Sequence, residues 1–262
     1  MNDLTAGLLM PTDASEKRFG IRFLSLVRQA SPGLFPKKCG NEEPLIHSCR
    51  AWNEQQIVDH CWNDPFLWSA MRTGVCGLFS LGKAQLHCGL FIYGKPRSDV
   101  AEEIKKLFAL LSEEFPVDFG WIHVLTDAEW DDIGKAGTKR LLAPFNHGVT
   151  SRELAAGIPN LGWLTIFGKP YLDKLESLRA TGLVQDFASV GGKPTAVCVQ
   201  LTERPQAVVD DYAHFSVTRN RALGLIGKDL FCSPESDARW VPQFVRRVAG
   251  IGPESVRRKA AR

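Results

Sequence analysis

LFIYGKPRSD (90–99) and LTIFGKPYLD (164–173) align without a gap. In each, an apolar stretch of strand character ends in aromatic-Gly-Lys-Pro. An Asp follows three residues later and a helical pattern begins. After the first copy, Val100, Ile104, Leu107, Leu111 and Phe115 recur at helical spacing. Ser98 is placed to cap that helix, and Asp99, Glu102 and Glu103 suit its positive N-terminal end. After the second, Pro170 suits the first turn of a helix in YLDKLESLRA. A repeated strand–GKP–helix unit predicts two related α+β lobes.

The flanking sequence sets the pairing. VCGLFSL (75–81) and AQLHCGLFIY (84–93) surround Gly82-Lys83 and predict a tight hairpin. VQDFASV and TAVCVQL around GGKP predict a second. WIHVL (121–125) and NLGWLTIF (160–167) read as strands. AWNEQQIVDHCW (51–62) has helical periodicity, which Asp64-Pro65 interrupts and FLWSAMR resumes. FGIRFLSLVRQ (19–29) reads as a short helix or strand, and SPGLFPKKCGNEEP (31–44) as loop. Pro205 to Leu225 reads as helix, with Gly227 to end it. Mixed elements with prominent hairpins predict an α+β fold of antiparallel sheets with flanking helices, not a doubly wound parallel one. The expected division is an N-terminal lobe over 1–150 and a C-terminal lobe over 151–262, with a basic tail from about 239. One continuous domain is the alternative.

With 262 residues, the chain can bury a core without staples. The apolar run LTAGLLM near the N-terminus lacks a basic flank and a cleavage site, so no signal peptide is expected, and no stretch is long and apolar enough to cross a bilayer. The seven cysteines form no CxxC and sit mostly among apolar neighbours. They are expected to be reduced and structural, with no metal and no cofactor, in a cytoplasmic protein. The net charge is +3. From Arg239 onward Arg and Lys face a single acid, Glu254, so a basic tail follows an acidic body.

No motif carries chemistry. GLFIYGKP (89–96) resembles a phosphate-binding loop, but its middle is a strand sequence and Pro96 replaces the hydroxyl that would hold magnesium. The six histidines form no HExxH, and no GxSxG occurs. The chain is therefore expected not to be an enzyme. DAEWDD (127–132) is the exception to an otherwise bland surface: Trp130 lies among Asp127, Glu129, Asp131 and Asp132. An aromatic ringed by acids is the composition of a protein-binding hot spot for a basic partner.

LGWLTIFGKPYLDKLESL (161–178), VCVQLTERP (197–205) and GLIGKDLFCSP (224–234) resemble immunity protein family fifty-two of bacterial polymorphic toxin systems and related type VI secretion immunity proteins. The most specific part is Trp163, Phe167, Gly168, Pro170 and Tyr171, and IYGKPRSDVAEE (92–103) adds Gly94, Pro96 and Arg97. The resemblance spans about residues 86–234. It implies a cytoplasmic antitoxin, acting as a monomer or in a one-to-one complex. Its implied partner is a secreted nuclease toxin of restriction-endonuclease type, with no membrane and no direct nucleic-acid contact. The rivals are a nucleic-acid binder using the basic tail, which predicts salt-sensitive binding, and an enzyme whose site is spatial rather than sequential.

Overall fold

The structure, a computed structural model, describes residues 3–82, 87–127, 129, 154, 158–227, 230 and 231. Its centre is set by DLTAGLLM, where nearly every position is apolar. A strand of that kind is stable only when covered on both faces. It forms β1 (Asp3–Met10) and pairs with β6 (Cys88–Gly94) on one side and β7 (Phe119–Leu125) on the other. The remaining strands are β2 (Pro36–Gly40), β3 (His47–Ser48), β4 (Phe66–Ala70), β5 (Val75–Ser80), β8 (Leu164–Gly168), β9 (Val184–Val190) and β10 (Lys193–Gln200). They make one ten-stranded sheet in the order β3-β2-β4-β5-β6-β1-β7-β8-β10-β9. Every neighbouring pair is antiparallel. The fold is α+β with an antiparallel sheet, and that sheet runs unbroken from the first repeat unit into the second.

Among the described residues six helices accompany it: α1 (Lys17–Ala30), α2 (Glu54–Cys61), α3 (Ser98–Glu114), α4 (Leu172–Leu175), α5 (Ala207–Asp210) and α6 (Tyr212–Ile226). In α2, Asn53 and Gln56 close a capping box. Phe23 of α1 packs with Trp62, Trp68 and Phe79, so α1 covers the inner face of β4 and β5. Phe215 of α6 stacks on His123 of β7, whose side chain points the opposite way from its neighbours Ile122 and Val124, so α6 covers the other face. The α3 helix reaches across the second unit. Lys105 Nζ donates to Gln200 Oε1 at 2.9 Å, and Thr195 Oγ1 donates to the Ser112 carbonyl at 3.3 Å.

The two GKP units share a connection. β6 and β7 both run antiparallel to β1, so they are parallel to each other, with α3 joining them over the strand between. β8 and β9 stand in the same relation to β10. The inserted strand comes from the chain start in the first case and from a following hairpin in the second. That hairpin turns at Gly191-Gly192, with φ of 58° and 76°, and Lys193 pairs with Val190. A two-residue loop with both central φ positive matches the right-handed strand twist.

Several expectations need correction. FLWSAMR does not resume a helix; Phe66, Trp68 and Ala70 point inward in alternation and make β4. PKKCG, within the expected loop, is β2. β5 and β6 pair as expected, but Ser80 faces Gly89, so the connection is longer than a turn at Gly82-Lys83. The helix after Gly168 is a chain of short pieces, with a 3-10 turn at Lys169–Tyr171 before α4 and another at Glu176–Thr181 after it. The cysteines are not all reduced. Pairing of β2 with β3 sets Cys39 opposite His47 and brings Cys49 to a Cα–Cα distance of 6.6 Å, where the two form a disulfide.

Candidate functional site

Cover on the sheet is uneven. β7 and β8 are buried at every residue, whereas β4 and β5 alternate between buried and accessible. The accessible side chains, Leu67 and Ser69 on β4 and Cys76 and Leu78 on β5, share one face with Tyr93 of β6. On that face lies a cleft of about 620 Å³. Its floor is Leu67, Leu78 and Tyr93, Leu45 stands at one wall, and Asp3, Glu43 and Lys95 bring charge to it. Burial, and next the Glu43 carboxylate, push the Cys76 thiol up. Burial, and next Cys76, push the Tyr93 phenol up. Beside this cleft, Ile46 is 76% exposed. One residue in from Asp3 on the same face, Thr5 is fully buried and its hydroxyl has no hydrogen-bond partner among the described residues. Its cross-strand neighbours are Tyr93 and His123.

The acidic stretch begins at the same end of the sheet, since Asp3 pairs with Leu125. Asp127 is exposed there. Glu129 is not: at 3% exposure it is an internal residue. Its carboxylate accepts from Arg219 Nη1 at 3.0 Å, from the Thr126 N–H at 3.1 Å and from His123 Nε2 at 3.2 Å. The Trp163 N–H donates to His123 Nδ1 at 3.2 Å, so the tautomer that satisfies both bonds carries its proton on Nε2. Burial raises the Glu129 carboxyl, but His123, Arg219 and the Thr126 N–H outweigh it and hold the group down at about 2. Glu129 therefore clasps β7 to α6 and leaves the expected partner-binding set. Trp130, Asp131 and Asp132 lie outside the described residues, as does the basic tail from about 239.

The GKP residues are architectural. Trp163 and Phe167 are fully buried, and Trp163 Nε1 donates to the Thr202 carbonyl at 2.8 Å. Phe167 meets Phe119 and Tyr171 edge-on. Gly168 donates its N–H to the Asp118 carbonyl at 3.0 Å, and a Cβ there would collide with the Val117 carbonyl. Pro170 is exposed in the first 3-10 turn. In the first unit Gly94 ends β6 beside Gly74, Pro96 is half-buried, and Arg97 binds the Asp99 carboxylate at 3.0 and 2.9 Å. The sequence offered no signal for the cleft, because its lining comes from β1, β4, β5, β6 and the 41–46 loop and meets only in the sheet. Among the described residues no group of three or more His, Cys, Asp or Glu is placed to hold a metal, and no helix is long and apolar enough to cross a membrane.

No family model matches the chain, and no curated protein matches it. Its fold is similar to that of the Pseudomonas aeruginosa T6SS protein PA0821, with a TM-score of 0.53 and 17% sequence identity. The similarity covers 95% of this chain and 82% of that one.

Proposed function

We propose that this chain is an immunity protein: an antitoxin that binds a nuclease toxin delivered by a type VI secretion system and neutralises it stoichiometrically. The fold similarity to a T6SS protein over 95% of the chain carries this reading. The short stretches that resemble immunity protein family fifty-two first suggested it, and no family model matches them. The chain acts by binding rather than by catalysis, as a monomer or one-to-one with its toxin. A nuclease of restriction-endonuclease type surrounds its metal with basic side chains for phosphates. Carboxylates on an inhibitor match such a rim and speed association. Asp127, Asp131 and Asp132 supply such carboxylates, with Trp130 between them in sequence as the aromatic anchor.

Neutralisation of a nuclease places the protein in the cytoplasm, beside the DNA it protects. The Cys39–Cys49 disulfide is more usual in oxidising compartments. Both cysteines are fully buried, so the test quenches cells in acid and alkylates the unfolded protein before mass spectrometry: cytoplasmic residence predicts both cysteines modified, and an oxidising compartment predicts neither.

The test is co-expression with the nuclease encoded beside this gene. Growth should be rescued, and the two chains should co-purify at a fixed ratio. Reversing charge at Asp127, Asp131 and Asp132 together should slow association by about tenfold, with dissociation little changed. Unchanged association removes the acidic patch, and a lack of any complex removes the immunity reading.

A further inference from the structure

We infer that the bare face of β4, β5 and β6 is a docking surface for the toxin, and that its cleft receives an arginine-bearing loop. The inference rests on the immunity reading for the identity of the partner. The site itself rests on three observations.

The face is covered over β7 and β8 but open over β4 and β5, with Leu67, Leu78 and Leu45 lining a cleft of about 620 Å³. That is the size range of a built recognition pocket. Two carboxylates, Asp3 and Glu43, face one ammonium, Lys95, so the charge favours a cation. Ile46, next to the Leu45 wall, is the most exposed large apolar residue recorded among the described ones, which is what an interface rim exposes before its partner arrives.

An arginine fits this lining. Its aliphatic stem lies along the leucines while its planar head reaches carboxylates. Five N–H donors in a fixed fork suit two carboxylates better than a lysine's point charge. A DNA-cutting partner necessarily displays such side chains, so occupying one in the cleft also takes it from the phosphates. This face is distinct from the Asp127 patch, although both open at the Asp3 end of the sheet.

Cys76 provides the readout, because it sits in the cleft and is exposed, while Cys61, Cys88 and Cys198 are buried. The full chain is treated with N-ethylmaleimide alone and with a catalytically inert form of the nuclease encoded beside its gene. Modification of Cys76 is followed by peptide mass spectrometry. The complex should slow it by about tenfold or more, since a hot-spot pocket excludes solvent. Glu43→Arg should weaken the complex by about tenfold or more and Glu43→Gln by less, as removal and reversal of a facing charge require. Glu43 is exposed, so neither variant threatens the fold. A stable complex in which Cys76 reacts at its free rate, or in which Glu43→Arg binds as the parent does, overturns the cleft and leaves the immunity reading intact. No complex at all overturns both. Protection that rises with the concentration of this chain alone, with a dimer by light scattering, assigns the face to a second copy and overturns the toxin assignment.

Discussion

Glu129 joins β7 to α6 through His123 and Arg219. It is a carboxylate with almost no solvent, met by a guanidinium, an imidazole N–H and a backbone N–H. Because the folded group titrates near 2 and the free group at 4.5, its stabilisation is complete above the free value. It is lost as pH falls from there towards 2. Glu129→Gln should cost about 3 kcal/mol at neutral pH, because Arg219 is left with an uncompensated buried charge. The variant should also lose the part of the acid-induced destabilisation that this carboxyl causes. Urea unfolding at pH 7 and pH 3 tests both, and a variant whose loss is equal at the two values contradicts the assignment. In the sequence, Glu129 was indistinguishable from its acidic neighbours in DAEWDD. A helical step turns it inward while Asp127 stays out, and its partner Arg219 comes from a distant helix. Pairings of that kind leave no local trace.

The α3 helix and the β9–β10 hairpin were legible because helical period and Gly-Gly chemistry act over a few residues, and β6, β7 and β8 because aromatic and β-branched residues mark a strand even when both faces are buried. β1 was not: DLTAGLLM is covered on both faces, so it has no period, and it is poor in aromatic and β-branched residues. β4 was lost for a different reason, since an alternating five-residue stretch beside a helix is easily absorbed into it. At the GKP turn, glycine is required by contact rather than by backbone angle. Gly168 has φ of −90°, which any residue adopts, but its missing Cβ makes room for the Val117 carbonyl. Gly168→Ala should therefore separate the start of β7 from the end of β8 and cost roughly 2–4 kcal/mol. Gly224→Ala is the control. It lies in α6 with open space around the new methyl, and should stabilise by about 1 kcal/mol. Thermal midpoints that move equally in both variants would remove the packing explanation.

At the scale of the whole molecule, the two GKP units are alike in connection but are built into one sheet. The expected boundary at residue 150 falls between β7 and β8, and these strands pair, with Trp121 opposite Thr165 and Phe119 opposite Phe167. Separating the two pieces there would expose two fully buried strand edges. The C-terminal piece would retain β8, β9 and β10 but lose α3, whose Ser112 and Lys105 bond Thr195 and Gln200 of β10, and lose the His123–Glu129 side of the clasp to α6. Three strands with one face stripped cannot offset the entropy of ordering them. Residues 151–262 expressed alone should therefore show no cooperative unfolding. The intact chain should melt in a single calorimetric transition whose measured and van't Hoff enthalpies agree. Two transitions, or a C-terminal fragment that folds alone, would mean that each unit closes its own core. The shared sheet would then be an interface between lobes, and the docking face on β4–β6 would have to act without mechanical support from the second half.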